Sequence, residues 1–254
     1  MSGKVYLVGA GPGAPDLLTL RAARVIAAAD ILFHDALVHP EVVALATHAE
    51  VIAVGKRCGR YSTAQRFINK RLVDAAARHA TVVRLKGGDP MLFGRAQEEI
   101  KALEHAGLDY EIVPGVTAAL AASATLGTSL TQRGTARSIV FVTPRVGEGL
   151  HPGEWLAPLM AADAAAIYMG AGQAAAIAAA LIAAGKPAAT PVAIVENASL
   201  PESRQIHTTL AGLPTLATQF IGPAIILLGA QFTARGQYAQ VEDSVENIRR
   251  EASA

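Results

Sequence analysis

Short apolar runs recur along the chain and alternate with longer, alanine-rich stretches of helical pattern. KVYLVGA predicts a strand, and the stretch from about Asp16 to Ala29 predicts a helix. DILFHD and EVIAVG predict two further strands. A long helical stretch from Thr63 to His79 then leads into TVVRLKG, another strand. These runs are nearly continuous in Val, Ile and Leu and do not alternate with polar residues. Strands of that kind are covered on both faces, as in parallel sheets packed between helices. The first half of the chain therefore reads as α/β.

EIVPGVTAAL breaks the pattern with Pro114 and Gly115, and a domain boundary is expected there. The expected organisation is an N-terminal α/β domain over residues 1–113, a C-terminal α/β domain over 114–235 and a polar tail over 236–254, frayed or partner-binding. SIVFVTP, AAIYMG, PVAIVENA, RQIHTTL and PAIILLGA supply the strands of the second domain. The two flanking ENASLPES leave no room for a helix between them, so they predict an antiparallel hairpin inside a mixed sheet. The alanine-rich stretch from Ala161 to Ala189 reads as strand, glycine turn and buried helix capped at Gly185, not as low complexity. No sequence repeat is visible.

The chain has 254 residues, 52% of them hydrophobic, enough for one or two domains with a full core. Its formal net charge of +1 argues against nucleic acid or an anionic membrane as partner. An anionic ligand would have to be met by a local cluster of cations. Cys58 is the single cysteine, which excludes an internal disulfide and a cysteine metal cage. The start, MSGKVYLVGAGPG, lacks the features of a signal peptide. AAAIAAALIAAG is broken by Gly185 and Lys186, short of the roughly 20 residues of a membrane helix. A soluble cytoplasmic protein is expected.

Four stretches carry candidate chemistry. The loop from Gly9 to Leu20 joins a strand to a helix through glycines, the layout of a nucleotide-binding turn. Its third glycine comes one place early for GxGxxG, and Pro12 and Pro15 remove N–H donors. Asp35 ends the second strand, roughly where a dehydrogenase keeps its ribose acid. A NAD site and a turn without a ligand both remain open from this loop. In FHDALV, Asp35 can be a helix N-cap, a ribose ligand or a general base. His34 has no partner at ligand spacing and is given no metal role. In VGKRCGRYST, Lys56, Arg57 and Arg60 form a solvated basic loop, an anion site, or a setting for a proton-transferring lysine. Cys58 reads as a small filler. In RLKGGDPMLFGR, Gly87 and Gly88 allow close backbone approach. Asp89 can face a positive group there, and Lys86 and Arg95 negative ones. Further on, Thr117 and Ala118 open a helix, Arg133 and Arg137 follow LTQ, and Met169 at a strand end can line a flat aromatic ligand.

Taken in order, GAGPGAPDLLTLRA, HDALV, VGKRCG, VVRLKGGDPMLFGR, VPGVTAA, LTQR, YMG and PVAIVENA resemble the tetrapyrrole methyltransferase family over about residues 4 to 230. The resemblance implies two α/β domains with the active site in the cleft between them, and a homodimer. It implies S-adenosylmethionine as methyl donor, held mainly by backbone, and no metal. Carried over by match, donor contacts fall on Pro12, Gly87, Gly88, Asp89, Leu92, Thr117, Ala118, Met169 and Ala198, the last replacing a glycine. The implied acid/base pair is Asp35 and Lys56. The implied reaction places two methyl groups on uroporphyrinogen III, on rings A and B, giving precorrin-2 for sirohaem or cobalamin. That substrate is rich in carboxylates, and Arg57, Arg60, Lys86, Arg95, Arg133 and Arg145 are the candidate partners. Three departures touch the substrate side: Thr143-Pro144-Arg145 for Thr-Gly-His, Gln132 for histidine, and His34 for tyrosine. They keep open a methyltransferase acting on a later precorrin. A NAD-dependent dehydrogenase and a non-catalytic tetrapyrrole-binding protein are the competing readings from other classes.

Overall fold

The computed structural model describes residues 3–54, 61–144 and 154–234. The first sheet contains β1 (Lys4–Gly9), β2 (Ile31–His34), β3 (Glu50–Ala53), β4 (Thr81–Lys86) and β5 (Tyr110–Val113) in the order β3-β2-β4-β1-β5. Every pairing in it is parallel. The helices between its strands are α1 (Leu20–Ala27), α2 (Pro40–Val43), α3 (Tyr61–Ala76) and α4 (Ala96–His105). They cover both faces, which explains the apolar runs. On one face Val5, Leu7 and Phe33 pack with Ile68 and Leu72 of α3 and Ile100 and Leu103 of α4. On the other, Val8, Leu32 and Leu85 pack with Ala22 and Ile26 of α1 and Val42 of α2.

The helix expected from Asp16 starts later. Pro15–Leu17 forms a single 3-10 turn, and α1 begins at Leu20 because the Thr19 hydroxyl accepts the Ala22 N–H at 3.1 Å. α4 ends at Gly107, whose φ of +65° is left-handed. There the Leu108 N–H reaches the Leu103 carbonyl and the Gly107 N–H reaches the Glu104 carbonyl, both at 3.0 Å, a paired closure of the last turn.

The second sheet contains β6 (Ile139–Val142), β7 (Ala164–Ile167), β8 (Pro191–Glu196), β9 (Arg204–Thr209) and β10 (Ala224–Leu228) in the order β6-β7-β10-β8-β9. β6 and β7 are parallel and the other pairings antiparallel, with β8 and β9 forming the expected hairpin. The chain's remaining α-helices among the described residues are α5 (Ala118–Leu126), α6 (Leu156–Ala161), α7 (Ala174–Ala183) and α8 (Leu213–Ala217). Ile177 and Leu181 of α7, Leu159 of α6 and Leu213 of α8 pack on Ile167, Ile194 and Ile226 of the sheet. The alanines of α7 let it lie close to that face. Gly185 closes α7 as Gly107 closes α4, with Lys186 N–H on the Leu181 carbonyl at 2.9 Å.

The chain divides into two compact units. One holds residues up to Ala121 together with Ser199–Pro201, and the other holds Ala122–Ala198 and the chain from Glu202. The division falls inside α5, past the break expected at Pro114, because β5 is the edge strand of the first sheet and Gly115 packs on its neighbours' loops. The tail over 236–254 lies outside the described residues. Among the described residues, no helix is long and apolar enough to cross a membrane.

The entry to β7 carries a pH-dependent brace. Asp163 accepts the backbone N–H of Arg137 at 2.9 Å and of Ser138 at 2.9 Å, and the Ser138 hydroxyl at 2.8 Å. The Arg137 N–H, then the Ser138 hydroxyl and N–H, hold its carboxyl below the ordinary aspartate value. A carboxyl lowered in the folded state stabilises fully above its unfolded value of ~4 and loses that contribution as pH falls through the folded value. Asp163→Ala is expected to lower the urea midpoint near neutral pH, and the gap from wild type is expected to close on acidification. A gap that is constant with pH would contradict this assignment.

Candidate active site at the strand ends of the first sheet

The connections leaving the neighbouring strands β1 and β4 run to opposite sides of the pair, one to β2 and the other to β5. Such a reversal in an open parallel sheet leaves a crevice at the carboxyl ends of the strands, where ligands bind. The loops there are the one after Gly9 and the one after Lys86. Gly11 and Gly88 join them: Gly11 N–H donates to the Gly88 carbonyl at 3.2 Å, and Gly88 N–H to the Gly11 carbonyl at 2.7 Å. Gly88 has a φ of +67°, a conformation that favours glycine. The loop after β5 presses on both. A Cβ at Gly115 would lie 2.4 Å from the Gly88 carbonyl oxygen and 2.9 Å from Gly9 Cα.

Asp89 ties the same loops together. Its Oδ1 accepts the Met91 N–H at 2.8 Å and its Oδ2 the Gly115 N–H at 2.9 Å. The carboxylate expected to face a positive ligand group thus accepts one loop N–H on each oxygen and keeps acceptor capacity on both. Beyond it, Phe93 and Arg95 hold left-handed backbone with φ of 53° and 55°. Ordinary side chains rarely take that conformation, and such residues gather at binding sites. The hairpin tip Ser199–Pro201 belongs to this unit as well. The Ser199 hydroxyl accepts the Ala14 N–H at 3.1 Å, and Leu200 fills the space beside Gly13.

Next to the crevice, on the face of β4 covered by α3 and α4, lies a buried charge cluster. Arg84 Nε donates to Glu99 Oε1 at 2.9 Å and Lys86 Nζ to Glu99 Oε2 at 2.9 Å. Gln65 Nε2 adds a third bond to Glu99 Oε1 at 3.2 Å. Arg84 also reaches Asp35 Oδ1 at the end of β2. Burial disfavours the Arg84 charge, yet Asp35 and Glu99 outweigh it and hold the guanidinium more firmly protonated than usual. Burial, then the Arg84 charge, push Lys86 below the ordinary lysine value, against the pull of Glu99.

Residues 4–214 match the family described as Tetrapyrrole (Corrin/Porphyrin) Methylases. The chain belongs to that family. It is 45% identical over 229 residues to siroheme synthase 1 of Klebsiella pneumoniae, covering 90% of this chain and 49% of that protein. It thus spans about half the length of the curated relatives it matches. Among solved structures, the native uroporphyrin III C-methyl transferase of Thermus thermophilus superposes with a TM-score of 0.80 at 39% identity, over 90% of this chain and 98% of that one. The Thermus enzyme complexed with S-adenyl homocysteine gives 0.78 at the same 39% and the same coverage. Cobalt precorrin-4 methyltransferase gives 0.77 at 28% identity, over 91% and 96% of the two chains. Membership of the methylase family displaces the dehydrogenase reading of the Gly9 loop.

In this chain, Pro12, Gly87, Gly88, Asp89, Leu92, Thr117 and Ala118 all sit at the carboxyl ends of β1, β4 and β5. Met169 follows β7 with φ 54° and is 45% exposed; Ala198 is buried after β8 between two left-handed residues, Asn197 and Ser199. Arg133 is exposed in the turn closed by the mutual backbone pair of Gln132 and Ala136, each bond 2.8 Å. Arg95 is exposed and bonded to Glu98 at 2.6 and 2.8 Å. Lys86 is corrected: it is 2% exposed and spent on Glu99, so it braces the strand and offers nothing to a substrate carboxylate. Asp35 is not a helix N-cap, since α2 starts at Pro40 behind His39. The His34 ring Nδ1 sits 3.0 Å from the Asp35 carbonyl oxygen. Lys56, Arg57, Cys58, Arg60 and Arg145 lie outside the described residues. Glu99 was missed from sequence. Its signal is the pair Arg84 and Lys86, two apart on an otherwise apolar strand, which demands an acid on the covering helix.

Proposed function

We propose that the protein is an S-adenosylmethionine-dependent C-methyltransferase converting uroporphyrinogen III to precorrin-2 by methylating rings A and B. The observation that carries this reading is likeness along nearly the whole of the Thermus uroporphyrin III C-methyl transferase, whose complex holds S-adenyl homocysteine. The crevice fits such a donor. Gly87 is exposed at its rim, and the atoms nearest a Cβ at Gly88 are 3.8 Å away, so main chain is accessible. Donor contacts are assigned to Pro12, Gly87, Gly88, Asp89, Leu92, Thr117, Ala118, Met169 and Ala198. Asp35 and Lys56 are assigned the proton, and Arg57, Arg60, Arg95, Arg133 and Arg145 the substrate carboxylates.

The donor's sulfonium supplies an activated methyl group. Carbon of the pyrrole forms the new C–CH3 bond as the S–CH3 bond breaks, sulfur keeps the electron pair, and a proton leaves the ring system for a base. The protein's part is to hold that carbon behind the methyl group, an orientation effect worth up to ~7–11 kcal/mol. A homodimer in the cytoplasm is the setting this reading expects, with the product passing towards sirohaem or cobalamin.

The test is anaerobic incubation with uroporphyrinogen III and S-adenosylmethionine, read by product mass. A gain of two methyl groups is expected, and near-complete loss of turnover in Asp35→Ala. Donor binding without transfer would favour a later precorrin as substrate, the second reading, for which Thr143-Pro144-Arg145 in place of Thr-Gly-His speaks. A chain that does not bind the donor would refute both.

A further inference from the structure

All three guanidinium nitrogens of Arg84 are held. Nε donates to Glu99 at 2.9 Å, Nη1 to the Leu85 carbonyl at 3.2 Å, and Nη2 to Asp35 Oδ1 at 2.5 Å. The Arg84 side chain is 2% exposed and Glu99 fully buried, while Asp35 is 31% exposed. The guanidinium therefore cannot swing, and it reaches one oxygen of a carboxylate that meets solvent. Among the described residues, Asp35 Oδ2 takes no hydrogen bond. Charge points the same way. Arg84 and Lys86 bring two positive charges into the cluster and Glu99 one negative, and Asp35 supplies the balancing charge. No other acid contacts this guanidinium among the described residues.

We infer that Arg84 is a positioning residue for Asp35, fixing one carboxylate oxygen and leaving the second for the reacting system, with Glu99 and Lys86 as its buried footing. This rests on the proposed role of Asp35 in moving the proton. Arg84 acts through Asp35 and touches no substrate. A lysine in its place keeps the charge but has a single nitrogen, which cannot bridge Glu99 and Asp35 in the same fixed plane.

The test uses the full chain, with kcat from anaerobic methyl transfer to uroporphyrinogen III and Kd for S-adenosylhomocysteine from calorimetry. Wild type, Arg84→Lys, Asp35→Asn and the double variant are compared. Arg84→Lys is expected to lower kcat about 10- to 100-fold, the scale of a misplaced catalytic group. Its Kd for S-adenosylhomocysteine is expected to stay within about twofold, a split that general loosening of the fold would not give. In the Asp35→Asn background the Arg84 change is expected to cost nothing more. If Arg84→Lys does not fold, Arg84→Gln takes its place, since Glu99 then keeps Lys86 as a balanced partner. Losses that multiply in the double variant, or unchanged kcat in a folded Arg84 variant, overturn the inference while Asp35 keeps its role. Normal turnover in Asp35→Asn overturns the role of Asp35 and the inference with it.

Discussion

Glu99→Ala is expected to destabilise the first unit by about 3–5 kcal/mol, the cost of leaving buried charge without its partner. The Glu99 carboxylate is fully buried and takes bonds from Arg84, Lys86 and Gln65. Removing it leaves two cations in the packing between β4 and α4, with only Asp35 at the edge to answer them among the described residues. Lys86 can relieve part of this by losing its proton, since burial already holds it below the ordinary lysine value. That relief sets a sign. A lysine whose folded value is lowered binds fewer protons folded than unfolded, so stability rises with pH. The deficit should shrink as pH rises from neutrality towards the ordinary lysine value of 10.5. Urea unfolding at several pH values measures both effects. A loss below about 1 kcal/mol, the level of an exposed pair, would mean that water reaches the cluster in solution. Replacing Arg84, Lys86 and Glu99 together by apolar residues of similar volume should restore much of the stability, because the desolvation cost leaves with the charges.

The same cluster marks where the sequence was legible and where it was not. The parallel sheet could be read because Val5, Leu7, Val8, Val82, Val83 and Leu85 are apolar on both faces, as strands between two helical layers require. The hairpin could be read because nothing between Glu196 and Arg204 has room for a helix. Composition alone reads Lys86 as a cation beside a glycine turn, able to face a negative group. Strand alternation gives a different answer. Arg84 and Lys86 share a face with Val82, which packs under α3 and α4, whereas Val83 and Leu85 face α1 and α2. Two cations facing inward need an acid on a covering helix, and Glu99 is that acid. The link to Asp35 depends on β2 lying beside β4, a pairing across a long sequence separation that no local pattern encodes. The start of α1 was misplaced for a local reason. Asp16 and Thr19 both resemble caps, and only the Thr19 hydroxyl meets a helical N–H. The family resemblance implies which residues would contact a donor, and the structure adds why their loops hold together, through glycine contacts and Asp89.

Gly115→Ala is expected to damage fold and crevice together. The three atoms nearest a Cβ there are all backbone: the Gly88 carbonyl oxygen at 2.4 Å, Gly9 Cα at 2.9 Å and Gly9 C at 3.1 Å. No side chain can rotate away to make room, so the ends of β1, β4 and β5 must spread. Spreading strains the mutual Gly11–Gly88 pair and the 2.9 Å bond from the Gly115 N–H to Asp89. Overpacking of a tight site costs about 1–3 kcal/mol, and the partly buried carboxylate bond lost with it adds about 0.5–1.5 kcal/mol more. The expected result is a fall of several degrees or more in melting temperature and at least a roughly tenfold weaker Kd for S-adenosylhomocysteine, the scale of about 1.4 kcal/mol. Gly107→Ala is the control. Gly107 is left-handed at φ +65° with nothing within 4 Å of a Cβ, so alanine there costs only backbone strain, about 1–2 kcal/mol. It sits at the opposite end of α4 from the crevice loop, and donor affinity should be untouched. If Gly115→Ala loses stability but binds the donor normally, the glycine contacts serve folding alone, and the donor must rest on other parts of the strand ends. If it is stable and binds normally, the three loops have slack that their close contacts do not suggest, and the crevice is held open by the Asp89 bridge.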